Sequence, residues 1–340
     1  MFDTLDQVLA RINEGERFLV IGHVRPDGDD VSSVASLVMI LRKAGKVAEG
    51  CIADDASPFL ERLDRDSIIK TPDALGEYAY DTAITVDASE LARIGESAGL
   101  LEGRAPDITL DHHKSNPGFG KVNFCDPAYA ATAMIIYEIG ERLVEFDPAL
   151  AEMILLGIAT DTGFFRYASV DERVFSYAAR LVREGANIGR VTEAVLEHRT
   201  LNEIRLLTEM LDTLELSADG RLATAYVTAE MMKRTGCTDD DTSGLIGEIR
   251  SIAGVEVAIV FIESCEGAVH VSLRSKNAVD VSEIALQFNG GGHARAAGCS
   301  CTDCRLEDLM GSMKASAEQA ISTSFGGALN ANQDESTTAV

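Results

Sequence analysis

His23, Asp27 and Asp29 fall within the stretch HVRPDGDD (23–30), directly after the apolar run 18–22. Acid and imidazole recur at the ends of further apolar runs. Asp87 closes DTAITVD (81–87), Asp111, His112 and His113 close DITLDHH (107–113), and Asp161 follows another run in ATDTG (159–163). A single aspartate at such a place is ordinarily a helix cap or a solvated turn. Its repetition at four element ends calls for another explanation, because clustered carboxylates repel one another unless a cation holds them together. Carboxylate and imidazole donors suit Mn²⁺, Fe²⁺, Zn²⁺ or Mg²⁺, and the absence of cysteine from the set speaks against a structural zinc. There are more acids than one divalent ion needs. The pattern therefore predicts two ions with a carboxylate bridging them.

The elements that must position these residues alternate between strand and helix. A short helix over 4–14, capped by Asp3 or Thr4, precedes a buried strand from Arg17 to His23. Helical periodicity follows from Asp30 to Ala44, ended by Gly45, and then a strand from Lys46 to Cys51. Asp81 to Asp87 and Asp107 to Asp111 read as strands, Ala130 to Glu145 and Pro148 to Thr160 as long helices. This alternation predicts an α/β domain with a mostly parallel sheet covered by helices on both faces. In such a sheet ligands sit outside the carboxyl ends of the strands, so the acids and histidines are expected to converge.

Residues 171–211 are almost continuously helical in pattern and read as a connector. A second grouping follows, with strands near 212–218, 221–228, 255–263 and 267–275 and helices near 239–251, 281–288 and 306–321. Ala218-Asp219-Gly220 predicts a hairpin turn between the first two strands. The expected organisation is a catalytic domain over 1–190, a connector over 191–211, a smaller α/β domain with a mixed sheet over 212–322, and a disordered polar tail over 323–340.

Composition restricts the partners. The chain has 340 residues, 46% of them hydrophobic and 25% charged, as in ordinary globular proteins. No apolar run approaches the roughly 20 residues that span a bilayer, and the acidic, amphipathic first residues do not resemble a secretory signal. A cytoplasmic protein without a membrane partner is expected. The seven cysteines show no disulfide framework. Cys299, Cys301 and Cys304 invite a zinc reading but read better as buried or edge thiols. A net charge of −25 opposes long nucleic acid, which needs many phosphate contacts from Lys and Arg.

The motifs HVRPDGDD, VDAS (86–89), DHHKSN (111–116) and TDTGFFRY (160–167) resemble, in order, the motif series of DHH phosphoesterases. GGGHARAAG (290–298) resembles the hallmark of the accompanying DHHA1 domain. Size and spacing are similar to the small oligoribonuclease/PAP phosphatase branch, often called nanoRNase, over about residues 15–320. The resemblance implies that His23, Asp27 and Asp87 hold one cation, and that Asp29, Asp87, His112 and Asp161 hold the second. By the same resemblance Asp111 orients the site, and His113 faces the substrate phosphate as donor or general acid. It also implies that Arg274, Ser275, Gly291, Gly292 and His293 grip the far phosphate and the sugar or base. The cofactor would be two divalent cations, Mn²⁺ first, with Mg²⁺ or Co²⁺ as substitutes. Two positions depart from the family pattern: Asp30 replaces a small residue and Ser32 a glycine. Asp30 is expected to cap the following helix, with a place behind the ligands as the alternative, and Ser32 to narrow the backbone approach.

The expected activity is two-metal hydrolysis of short oligoribonucleotides, of linear dinucleotides such as pApA, or of 3′-phosphoadenosine 5′-phosphate (pAp). A substrate with few phosphates reconciles this with the acidic surface, and the family pattern is compatible with a homodimer. The alternatives are a non-catalytic nucleotide sensor, a RecJ-type single-strand exonuclease, and a manganese pyrophosphatase. Charge argues against the exonuclease, the GGGH motif against the pyrophosphatase, and the complete ligand set against the sensor.

Overall fold

A computed structural model describes residues 2–54, 68–197, 199–242, 244–264, 267–302 and 304–331, leaving aside the side chains of His293 and 326–331. The chain forms two units, Met1–His198 and Arg199–Val340.

In the first unit, Thr4 and Gln7 form a reciprocal capping box at the start of α1 (Leu5–Glu14). There follow β1 (Arg17–Ile21), α2 (Gly28–Lys43), β2 (Val47–Cys51), β3 (Ile69–Lys70), the one-turn α3 (Pro72–Leu75), β4 (Thr82–Val86), a 3₁₀ segment (Leu91–Leu101), β5 (Ile108–Asp111) and β6 (Val122–Cys125). Helices α4 (Thr132–Leu143), α5 (Pro148–Asp161), α6 (Glu172–Arg183) and α7 (Ile188–Leu196) complete the unit. The sheet order is β3-β2-β1-β4-β5-β6, and every pairing is parallel. The chain runs outward from β1 to β3, then returns to β4 on the other side of β1. That reversal opens a crevice at the carboxyl ends of β1 and β4. The edge strands β3 and β6 escape the sequence reading because one has two residues and the other (VNFC) is only partly buried.

Helix α2 is buried nearly all round: Val31, Val34, Leu37, Val38, Ile40 and Leu41 are fully inside, as are Ser32, Ser33 and Ser36. Burying each large aliphatic side chain contributes about 1.5–3 kcal/mol. Ser32 sits against the backbone of α5, its Oγ donating to Met153 O at 2.6 Å. A Cβ on Gly157 would lie 2.6 Å from Ser32 Oγ, 2.6 Å from Ala133 Cβ and 2.8 Å from Asp29 Oδ1. Glycine there lets α2, α4 and α5 meet directly behind the acidic cluster.

The helical stretch 171–211 is three helices rather than one. Gly185, at φ +102°, separates α6 from α7, and a Thr200–Glu203 capping box starts α8 (Leu201–Asp212). Val174, Leu181 and Val191 of α6 and α7 join the core of the first unit, whereas Leu206 and Met210 of α8 join a core of the second. The stretch expected as connector, 191–211, is thus divided between the units.

The second unit continues with β7 (Glu215–Ser217), β8 (Leu222–Val227), α9 (Ala229–Thr235), α10 (Leu245–Arg250), β9 (Val257–Glu263), β10 (Val269–Ser275), α11 (Val281–Leu286), β11 (Gly291–His293), β12 (Ala296–Cys301) and α12 (Leu306–Ala331). Its mixed sheet has the order β11-β12-β10-β9-β8-β7, with β8 and β9 parallel and the other pairs antiparallel. The hairpin turn forms as expected, with Ala218, Asp219 and Gly220 all left-handed. Val257, Ile259 and Phe261 pack into one core, Ala258, Val260 and Ile262 into another on the opposite face, which explains the unbroken apolar run. The glycine-rich stretch forms a β11–β12 hairpin. Two expectations are corrected. Cys301 and Cys304, expected as thiols, are joined in a disulfide where the short passage from β12 to α12 brings them together. α12 runs on to Ala331, so residues 323–331, expected in a disordered tail, are helical, and 332–340 lie outside the described residues. No helix among the described residues is long and apolar enough to cross a membrane.

Candidate metal centre

The carboxyl ends of β1, β4 and β5 deliver the expected residues to one place. His23 lies two residues past β1, Asp87 directly past β4, and Asp111 is the last residue of β5. Asp27 caps α2 and Asp29 lies in its first turn, and Asp161 ends α5, where the negative end of the helix dipole favours a cation. Three groups of donor atoms form among the described residues: His23, Asp27 and Asp87; Asp87, His112 and His113; and Asp29, His112 and Asp161, the atoms of each within 4.8 Å of one another. Asp87 belongs to the first two and His112 to the last two, so Asp87 joins the His23 side to the His112 side. Its Oδ2 is 3.9 Å from His23 Nε2, and its Oδ1 is 3.5 Å from His112 Nε2 and 3.6 Å from His113 Nδ1. Asp87 itself is left-handed at φ +53°, a conformation that aspartate tolerates better than most residues and that turns its carboxylate into the crevice.

The electrostatics are those of a cluster assembled for cations. Burial raises Asp87 and Asp30 well above the ordinary carboxylate range, aided by neighbouring acids. Burial likewise raises Asp29 to about 6 and Asp161 to about 8. Burial opposes charge on the His112 ring, yet Asp161, Asp29 and Asp111 together outweigh it and raise its pKa. The His23 ring is lowered, chiefly by burial. Acids held this far up are a mutual-repulsion problem that a divalent ion solves, so the donor set fits the predicted cofactor.

Several supporting groups were not legible in the sequence. Asp29 is clamped by α4: Thr132 N and Ala133 N donate to its two oxygens at 2.6 and 2.9 Å. α4 has no side-chain cap of its own, and Asp29 fills that role from α2. Thr132 Oγ1 donates to Asp87 Oδ1 at 2.8 Å. His112 Nδ1 lies 3.3 Å from Tyr129 O, which leaves Nε2 toward Asp87 and Asp161. Asn116 donates to Asp111 Oδ2 at 2.7 Å and to Ala88 O at 3.0 Å. Asp111 Oδ1 takes His113 Nδ1 at 2.6 Å. Burial pushes the Asp111 carboxyl up, but the His113 bond and charge, with Asn116, hold it below its ordinary value. Arg93 reaches His23 Nδ1 at 3.1 Å. The only advance signal was that Asn116 belongs to the quoted DHHKSN; Thr132, Tyr129 and Arg93 come from segments without a distinctive pattern. Asp30 does not cap α2. Asp27 does, accepting from Asp29 N and Asp30 N at 3.1 Å each, because its residue lies outside the helix and Asp30 already lies within it.

Comparison with known proteins agrees with this arrangement. Residues 17–158 match the DHH family, N-terminal domain, and residues 219–323 match the DHHA1 domain. A Thermus thermophilus protein named bifunctional oligoribonuclease and PAP phosphatase NrnA is 34% identical over 288 residues, 84% of each chain. The chain belongs to the DHH family, in its DHH–DHHA1 form. A Bacillus subtilis protein of the same name is 25% identical over 86% of this chain and 92% of its own. The crystal structure of an exopolyphosphatase-related protein from Bacteroides fragilis shares the fold, with a TM-score of 0.86 at 23% identity, covering 93% of this chain and 95% of that one.

Within the DHHA1 region, the expected substrate residues gather where β10, β11 and β12 meet. Arg274 pairs with Ala296, and its Nη1 donates to Leu273 O at 2.9 Å. Ser275 is wholly buried, its Oγ donating to Ala294 O at 3.2 Å, so its side chain braces the β11–β12 turn. A Cβ on Gly290 would meet Gly298 O at 2.3 Å, and one on Gly292 would meet Ala296 O at 2.5 Å. Those two glycines answer to strand packing, whereas Gly291 faces open space. The side chain of His293 lies outside the described side chains. Arg250 and Arg295, not singled out from the sequence, are anchored here on the main-chain carbonyls of Ser275 and Val279, and Lys276 on that of Ile252.

Proposed function

We propose that this DHH chain is a two-metal phosphoesterase of short oligoribonucleotides, linear dinucleotides such as pApA, and pAp. The observation that carries the reading is the set of donor groups joined through Asp87 and His112 at the sheet's switch point. The names of the relatives support the substrate class, and the net charge of −25 supports substrates with few phosphates.

In this reading His23, Asp27 and Asp87 would hold one divalent cation, and Asp29, Asp87, His112 and Asp161 the other, with Mn²⁺ the preferred ion. Bound there, such a pair would supply a nucleophile from water at neutral pH and neutralise charge on the phosphoryl oxygens. The chain does the positioning. Thr132 N–H and Ala133 N–H fix the Asp29 carboxylate, and Thr132 Oγ1 fixes Asp87. Asp111, itself held by Asn116, engages His113 Nδ1 and so fixes the ring, whose doubly protonated form would donate from Nε2 to a phosphoryl or leaving oxygen. Arg274 and Gly291 of the DHHA1 region are the groups assigned to bind a substrate phosphate and nucleoside.

The test is Mn²⁺-dependent turnover on pAp, pApA, a five-nucleotide RNA, a long single-stranded DNA and pyrophosphate. Release confined to pAp and the short RNAs is expected. Cleavage of pyrophosphate or long DNA would overturn the substrate assignment, and binding of pAp without turnover would make the chain a nucleotide sensor.

A further inference from the structure

Asp30 is a carboxylate in the wrong place for an ordinary role. It is wholly buried, it does not cap α2, and it lies in none of the three donor groups of the metal centre. Its Oδ1 accepts the main-chain N–H of His23 at 3.0 Å, while Oδ2 has no hydrogen-bond partner among the described residues. Burying a carboxylate half-satisfied is costly, so the retained bond must return something.

The neighbouring main-chain bonds show what it returns. Gly22 N donates to Cys51 O and Val24 N to Arg93 O, so β2 and the 3₁₀ segment hold the residues on either side of His23. At His23 the chain has left β1, and Asp30 supplies the acceptor for its N–H. This bond closes the loop 23–30 on itself, and that loop contains His23, Asp27 and Asp29. The contact is tight: a Cβ on Gly22 would lie 2.5 and 2.7 Å from the two Asp30 oxygens. His23 Nδ1, 2.8 Å from Val24 O, sets the ring's rotation, and Nε2 faces Asp87.

We infer that Asp30 is a positioning residue, which fixes the His23 main chain and thereby aims His23 Nε2 at the cation shared with Asp27 and Asp87. This rests on the reading of His23 as a cation ligand. Partners that orient a metal ligand ordinarily contribute about 10- to 100-fold in metal affinity.

The test is a Mn²⁺ titration of the full chain, with free ion counted by electron paramagnetic resonance, on wild type, Asp30→Ala, Asp30→Asn and His23→Ala. Asp30→Ala is expected to weaken one of two Mn²⁺ equivalents by about tenfold or more and leave the other unchanged. Asp30→Asn keeps the acceptor oxygen and is expected to restore affinity to within about threefold of wild type. Wild-type affinities in Asp30→Ala would overturn the inference. If Asp30→Ala does not fold, Asp30→Asn decides: retained affinity supports the bond to His23, and a weakened site overturns it. Two intact sites in His23→Ala would remove the metal reading itself, an outcome distinct from failure of the Asp30 assignment.

Discussion

Strand β5 has a buried aspartate at each end, and the two ends are built on opposite principles. Asp107, just before the strand, meets Arg11 Nη2 at 3.1 Å and Lys121 Nζ at 3.0 Å, and accepts Ala83 N at 3.0 Å. Burial pushes its carboxyl up, but these bonds and charges hold it below the ordinary value. Asp111, the strand's last residue, is itself held low by His113 and Asn116, but it borders an assembly of acids and imidazoles in which Asp87, Asp29 and Asp161 are all raised. At the amino end the protein supplies its own cations, and the acid serves the fold. At the carboxyl end the matching charge has to come from outside, and the acids serve chemistry. Charge balance, more than burial or residue type, separates a structural aspartate from a functional one.

Substitutions at the two ends test that contrast. Asp87→Ala removes the group that joins the His23 side to the His112 side and is expected to abolish Mn²⁺-dependent turnover, with thermal unfolding close to wild type in metal-free buffer. Full activity in that variant would break the two-metal assignment. Asp107→Ala is expected to cost about 2 kcal/mol by chemical denaturation, since it strands Arg11 and Ala83 N–H at a partly screened site. Its Mn²⁺ affinity should be unchanged, and a loss there would show that the ends are not independent. Thr132→Val keeps the main-chain bond to Asp29 but deletes the hydroxyl on Asp87. It is expected to weaken Mn²⁺ binding by about tenfold in calorimetric titration.

The smallest effect is on pH dependence, and the two ends should differ in sign. Asp29 and Asp161 titrate at about 6 and about 8 in the folded chain, above their unfolded values. Their contribution to stability is therefore full at low pH and is lost as pH rises through 6 to 8. Asp107 is lowered, so its contribution is present above the unfolded carboxylate range and is lost as pH falls through its folded value. With a chelator present, the melting temperature should decline between pH 5 and 9, and Mn²⁺ should suppress the decline. A melting temperature that is flat over that range without metal would count against the raised acids.

How far the sequence reached differs between the ends and between the units. His23, Asp87 and His112 stood at the ends of apolar strand runs, because parallel strands buried on both faces leave uninterrupted apolar stretches and put polar residues where they stop, whereas Asp27 and Asp29 open a helix and Asp161 ends one. The strands β1, β4 and β5 were readable for that reason. The edge strands β3 and β6 were not, since edge positions lack full burial. In the second unit, β11 and β12 were hidden in GGGHARAAG, where glycine needed for close strand approach looks the same as glycine in a loop.

What the sequence by itself determined was the set of donors, their types and their order along the chain, because local hydrophobic pattern dictates where a strand ends. What only the tertiary structure decided was which groups hold those donors. Thr132 and Ala133 reach Asp29 across 103 and 104 positions of sequence, and Thr132 reaches Asp87 across 45. Asp30 turned from an expected cap into the acceptor for His23. These contacts exist because α2, α4 and α5 pack at the glycine-lined distance that Gly157 permits. No periodicity within any one segment encodes a bond whose two partners are brought together only by packing.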